Sequence, residues 1–157
     1  MQNPPPVDIL LADLIRFSTA VQYALTAPEI EWLTRADPAH WSLTEVVCHL
    51  RDVEKEVHQP RFQAMLTKED AFLVGMTPDD WAEARDYQQQ DGRLALANFI
   101  KEREETAALL RNLEASLWQR TGNHAFFGQT TIHELLYLVV QHDRVHWQQI
   151  MRLLPTE

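Results

Sequence analysis

Apolar residues recur at three- and four-residue spacing through four long segments of this 157-residue chain, and no other feature constrains the fold as strongly. That spacing places apolar side chains on one face of an α-helix. We therefore predict helices over residues 7–26, 42–66, 92–118 and 131–154. The chain has only 4 glycines, whereas sandwiches and barrels need many turns, so the composition also favours an all-α fold.

Local signals define two of the helix starts. Ser42 opens SLTE and Thr131 opens TIHE, and both sequences match the capping box, in which the first and fourth residues bond reciprocally to backbone amides. Pro60 falls inside the second predicted helix and is expected to bend it, because proline has no amide hydrogen to donate.

The connection lengths predict how these helices are arranged. The links between the first and second helices and between the third and fourth are short, which favours antiparallel neighbours. Residues 68–91 form a long connection with a short helix predicted in TPDDWAEA, and this connection can span the bundle. The second and third helices can then run parallel, in an up-down-down-up four-helix bundle. We predict a loop for RTGNHAFFGQ.

The chain ends and the single cysteine bear on domain organisation and location. We predict a disordered tail at residues 1–6, which include three prolines, and one domain over residues 7–157. The N-terminus has no basic, apolar signal sequence. One cysteine, Cys48, cannot form an internal disulfide, which fits a reducing cytoplasm. We interpret it as a small core residue rather than a metal ligand.

The charge balance excludes two classes of partner. The 14 Lys and Arg residues stand against 23 Asp and Glu residues, for a net charge of −9. Nucleic-acid binding needs cations that displace counterions from phosphates, and an anionic membrane surface attracts basic segments. We therefore expect neither partner, and we expect a small molecule to be the substrate.

Two histidines lie on the apolar face of the fourth predicted helix. His142 and His146 follow the stripe of Leu135 and Val139, and residues four apart share one face of a helix. Burial of imidazoles with unmatched nitrogens is unfavourable, so a metal ion or a hydrogen-bond network is expected there.

A third histidine lies at the matching depth of the second helix. His49 follows the Ser42 helix start by seven residues, and His146 precedes the end of its helix by about as many. If the two helices are antiparallel, all three imidazoles meet at one level; if they are parallel, the imidazoles miss one another. We predict that His49, His142 and His146 bind one divalent metal ion.

Three histidines leave an open position, as in catalytic zinc sites. Imidazole suits zinc and nickel, and also iron and copper. Asp52, one turn after His49, is a candidate to orient a ligand histidine or to act as a general base. Glu56 is interpreted as a surface carboxylate. Among the other histidines, only His124 is a candidate for the mouth of the site.

Three stretches of the sequence resemble the DinB-like family of the YfiT/DinB superfamily. They are HWSLTEVVCHLRDVEKEVHQPRFQAML, FIKEREETAALLRNL and GQTTIHELLYLVVQHDRVHWQQI. The resemblance implies an up-down-down-up bundle, a divalent ion held by His49, His142 and His146, and a homodimer. Characterised relatives include transferases that use low-molecular-weight thiols such as bacillithiol or mycothiol, and others are described only as metal-dependent hydrolases.

Three hypotheses about function follow from these patterns. In the first, the ion activates a thiol cofactor for transfer to an electrophile. In the second, it activates water for hydrolysis of a small molecule, and a carboxylate such as Asp52 serves as the base. In the third, the protein is a non-enzymatic, stress-related metal-binding module.

Overall fold

The computed structural model describes residues 4–154, most of which are helical. The α-helices are α1 (Val7–Ala24), α2 (Leu43–Val53), α3 (Gln59–Thr67), α4 (Trp81–Ala84), α5 (Gly92–Arg111) and α6 (Ile132–Leu153). A π-helical turn (Glu54–His58) joins α2 to α3, and 3-10 turns span Pro78–Asp80, Tyr87–Gln89 and Ala115–Gln119. Three short strands form one sheet: β1 (Ala71–Leu73), β2 (Thr121–His124) and β3 (Gly128–Thr131).

The predicted up-down-down-up bundle is confirmed. The α1 and α6 helices run parallel, since Pro5 is close to His133 and Asp13 pairs with Arg144. Contacts between α2 and α5 also follow a parallel course, from Thr44 beside Gly92 at the start to the pair of Glu54 and Arg103. The α2 and α6 helices run antiparallel, because Trp41 lies against His146 whereas His58 lies against His142.

The helix starts form for the reasons that their sequences indicate. Ser42 and Thr131 each accept a hydrogen bond from the amide three residues on, and the Glu45 and Glu134 side chains bond back to the two cap amides. The expected disturbance at Pro60 takes the form of the π-helical turn that immediately precedes it, in which the Gln59 amide reaches the Glu54 carbonyl. Helical structure therefore continues to Thr67.

Two local predictions were wrong. The third helix ends at Arg111 rather than residue 118. The RTGNHAFFGQ segment contains strand β2 and the start of β3, which pair as an antiparallel hairpin, while β1 adds to β2 in parallel. Gly128 closes the hairpin turn with φ +71°, a left-handed conformation that glycine adopts without strain. The apolar periodicity that predicts helices does not indicate strands as short as these.

The interior consists of two apolar clusters with polar side chains between them along α6. One cluster includes Ile150, and the other includes Val139 and Val140; His142, Asp143 and His146 fall between these positions in the sequence. None of the helices within residues 4–154 has the length and apolar character needed to cross a membrane. Residues 1–3 of the predicted tail and residues 155–157 of the predicted domain lie outside the described part of the chain.

Candidate metal centre

The structure brings the three predicted ligand histidines together. His49 lies in the middle of α2, and His142 and His146 lie one turn apart on α6. Their Nε2 atoms converge: that of His142 is 3.2 Å from that of His49 and 3.0 Å from that of His146. One ligand atom from each residue lies within 4.8 Å of the other two. Nitrogens bound to one zinc ion at about 2.0–2.1 Å lie at similar separations.

Hydrogen bonds between the rings cannot account for both short contacts. His146 donates its Nδ1 hydrogen to Gln149 Oε1, 2.7 Å away, so its Nε2 carries a lone pair when the ring is neutral. His142 Nε2 can donate to that lone pair or accept from His49, but a single nitrogen cannot do both. In either case one of the two contacts is left without a hydrogen bond, whereas a cation at the centre would satisfy all three nitrogens.

The Nδ1 atoms of the three histidines differ in their hydrogen bonding. The Gln149 amide orients His146, as outer partners of metal-bound histidines commonly do. His142 Nδ1 is 4.0 Å from Asp143 Oδ1, which is too long for a hydrogen bond. Within residues 4–154, the buried Nδ1 atoms of His49 and His142 have no hydrogen-bond partner.

All three imidazoles are held in the neutral form that binds metals. Burial, together with the neighbouring histidines His146 and His58, lowers the pKa of His49 to about 3. Burial also lowers the pKa of His146, and it lowers that of His142 well below its usual value. Metal ligation requires deprotonated imidazole nitrogens, so the cluster has its lone pairs available at neutral pH.

Asp52 lies one turn from His49, but its carboxylate is engaged elsewhere. It accepts hydrogen bonds from Arg51 Nε at 2.6 Å, Arg85 Nη1 at 2.9 Å and the Tyr87 hydroxyl at 2.8 Å. Burial raises the pKa of Asp52, but these three donors together lower it below its ordinary value. A carboxylate held in this way is a weak base. Its role as a general base or as a partner of His49 stays a prediction.

A cleft of about 240 Å³ lies over the cluster. His49 and His142 form part of its lining, together with His58, His124, Arg61 and Asp79. His124, the candidate for the mouth of the site, lines this cleft and is buried. It is held there by β2, in register with Leu73 of β1.

Sequence reasoning missed His58, which is buried and meets the His142 ring edge-on, with 5.2 Å between ring centres. In an uninterrupted α-helix at about 3.6 residues per turn, His58 would face away from His49. The π-helical turn (Glu54–His58) holds more residues per turn and so rotates His58 relative to that register. Pro60, just after this turn, was the sequence feature that could have indicated the irregular helix and thus the rotation of His58.

A second buried polar cluster adjoins the histidines, and we call it the Arg103 cluster; its members are Glu54, His58, Arg103, Thr106 and Asp143. Arg103 bonds to Asp143 through two nitrogens, at 2.5 and 2.9 Å, and its Nη2 is 2.8 Å from Glu54 Oε2. His58 Nδ1 lies 3.1 Å from the same Glu54 oxygen. Burial raises the pKa of Glu54, but Arg103 and His58 lower it to about 2.

Comparison with known proteins agrees with this architecture. The structure of YfiT from Bacillus subtilis, described as a probable metal-dependent hydrolase with an unusual four-helix bundle topology, is similar with a TM-score of 0.80. The alignment has 24% sequence identity and covers 93% of this chain and 84% of the YfiT chain. No curated protein matches the sequence significantly. The sequence model of the DinB superfamily matches residues 16–150, and the chain therefore belongs to the DinB superfamily.

Proposed function

We propose that this protein is a metal-dependent enzyme that acts on small molecules at a divalent ion held by His49, His142 and His146. The convergence of the three Nε2 atoms is the observation that carries the proposal. The donor set fits zinc or nickel, because neutral imidazole is a favoured ligand of both. The bound ion would act as a Lewis acid that makes a thiol or a water more acidic and so supplies a nucleophile at neutral pH.

Thiol-dependent S-transfer is the reaction that the surrounding residues favour. A low-molecular-weight thiol loses its proton readily once activated, so this reaction places little demand on a protein base. Asp52, the predicted base, is bound by Arg51, Arg85 and Tyr87. The histidines then serve to hold and orient the ion, and the apolar walls of the cleft exclude water from the electrophile.

Hydrolysis is the second candidate, and one residue favours it. Asp79 lies at the rim of the cleft with an exposed side chain. Its charge partly offsets the lowering of the His146 pKa by burial, which places it near the cluster. In this candidate reaction Asp79 would accept the proton of the attacking water. The description of YfiT as a probable metal-dependent hydrolase is consistent with this candidate.

The non-enzymatic alternative predicts a different ligand set. Structural zinc sites normally have four protein ligands, and the described residues bring three together here. A cleft lined by two of them, His49 and His142, is also unnecessary for a purely structural ion. Homodimerisation and a cytoplasmic location remain predictions, since one chain of this structure contains no information on either.

Metal binding is tested by titrating zinc and nickel into metal-free protein in competition with a chromogenic chelator. We expect one ion per chain. The His142→Ala variant should bind at least about 100-fold more weakly, since losing even an outer partner costs 10- to 100-fold. His40→Ala is the matched control, because His40 is exposed in a loop. Equal affinities in the two variants would contradict the ligand assignment.

The reaction is tested by supplying metal-loaded protein with electrophiles and thiols, and separately with activated esters and amides. Turnover that needs both metal and thiol supports S-transfer. Metal-dependent hydrolysis without thiol supports the second candidate, and Asp79→Asn should then reduce it. If no turnover occurs and metal removal unfolds the bundle, the ion is structural and the enzyme proposal fails.

A further inference from the structure

Arg61 presents an unneutralised charge to the cleft. Its side chain is partly buried, and Nη2 donates to the Val74 carbonyl at 2.8 Å. No carboxylate among residues 4–154 lies within ion-pair distance of it, whereas Arg51 and Arg85, which are also partly buried, have such partners. Glu56 lines a neighbouring groove with Arg61, but Arg85 binds both of its oxygens at 2.7 and 2.9 Å. A guanidinium that lies in a cleft without a carboxylate partner favours binding of an anionic ligand.

His124 adds a hydrogen-bond donor to the same end of the cleft. Its side chain is 2% exposed, and its Nδ1 accepts a hydrogen bond from the Phe126 amide at 3.1 Å. The neutral ring therefore carries its hydrogen on Nε2. That buried Nε2–H has no acceptor among residues 4–154. Burial and the nearby charge of Arg61 lower the pKa of His124, which favours this neutral donor form.

The hairpin turn between β2 and β3 packs against the His124 ring. Phe126 and Phe127 place their ring centres 5.9 and 4.8 Å from that of His124, and both rings are at least half exposed. The Phe126 ring also lies directly on Gly75, where a Cβ atom would come within 2.7 Å of Cζ. Both rings line the cleft together with His124.

The cleft is electrostatically asymmetric. Asp79 is the acidic residue in its lining and influences His146. Arg61 lines the cleft and influences His124, and Val57, Leu135 and Val139 provide an apolar wall. At about 240 Å³ the cleft is smaller than sites for drug-sized ligands, which occupy about 300–1,000 Å³. It therefore suits a small molecule with an anionic group at one end and an apolar body.

We propose that the cleft selects small carboxylate-bearing molecules, with Arg61 and His124 binding the carboxylate and the apolar wall directing the rest of the molecule toward the three histidines. Only the reaction expected at the three histidines depends on the proposed function; binding of the carboxylate does not. The carboxylate subsite consists of residues outside the metal cluster, so it can be tested without a metal ion.

The test is calorimetric titration of metal-free protein with ω-phenylalkanoic acids of two to six methylenes, each compared with its uncharged amide. We expect at least one acid to bind about tenfold more tightly than its amide, as a charge-assisted hydrogen bond supports. Arg61→Gln should remove this preference, and Arg61→Lys should retain part of it. Arg111→Gln, an equal charge change at an exposed position on α5, should leave it unchanged.

The proposal is overturned if no acid of the series binds better than its amide, or if Arg61→Gln keeps the preference while its circular dichroism matches that of the parent. A cobalt-loaded sample tests the proposed function independently of the carboxylate subsite. Visible bands that shift on addition of 3-mercaptopropionamide report thiol binding at the metal, whatever happens at Arg61. Absence of cobalt binding would defeat the proposed function while the acid and amide comparison still stands.

Discussion

Two polar clusters lie side by side inside this bundle, and they differ in how their polar groups are paired. In the Arg103 cluster, opposite charges from three helical segments meet, and Glu54 and Asp143 are both bound by one guanidinium. In the histidine cluster, three like groups turn the same nitrogen toward one point. The first pairs its charges within the chain, although the buried Arg103 Nε has no hydrogen-bond partner among residues 4–154, whereas the converging nitrogens of the second would be satisfied by a metal ion.

The comparison separates stability from binding. A buried charge pair is costly to break but is often no better than apolar packing, so the Arg103 cluster need not contribute much net stability to matter. It joins α5 to α6 and to the π-helical turn that follows α2, next to the histidines. The histidine cluster instead keeps neutral lone pairs free, and that arrangement has value only if something binds there.

The largest expected effect follows from breaking the Arg103 cluster. Arg103→Met leaves Glu54 and Asp143 buried without their cation, so we expect a loss of about 3–5 kcal/mol in the free energy of unfolding. Urea denaturation of metal-free protein measures it. Arg111→Met on the exposed end of the same helix is the control and should change stability by less than about 0.5 kcal/mol. Similar stabilities of the two variants would mean that the cluster is not required for folding.

A smaller effect is expected at the histidine cluster when metal is supplied. Zinc at 100 times its dissociation constant should raise the free energy of unfolding by about 2.7 kcal/mol, provided that it binds only the folded state. His142→Ala should lose this increment while its metal-free stability stays near that of the parent. An increment of the same size in His142→Ala would show that zinc binds at a different place.

The smallest expected effect concerns the orientation of one ligand. Gln149→Leu removes the acceptor for His146 Nδ1, and we expect zinc affinity to fall by about 10- to 100-fold without loss of the site. Competition with a chelator measures this change. Gln148→Leu, at the adjacent position of α6, is the matched substitution and should bind zinc like the parent. If both variants bind zinc equally, the amide does not orient the ring.

Periodicity and caps predicted four helical segments and their order, although not the end of the third at Arg111. The three- and four-residue spacing is a property of each segment, and the Ser42 and Thr131 boxes act within four residues, so local sequence contains both signals. The convergence of His49 with His142 and His146 could be predicted as well, because antiparallel helices of known start and end allow depths to be compared. The hairpin that holds His124 could not, because strand pairing joins residues by contacts far apart in the sequence.

The sequence by itself determined which side chains face the interior of each helix, since a regular helix converts spacing into direction. Only the tertiary structure decided which polar groups would be satisfied by the chain. The π-helical turn before Pro60 rotated His58 into the interior, and the packing of three helical segments matched Arg103 to two carboxylates. Among residues 4–154, it likewise left Arg61, which lines the cleft over the histidines, without a carboxylate partner. Electrostatic pairing depends on distances between segments, and those distances exist only once the helices have packed.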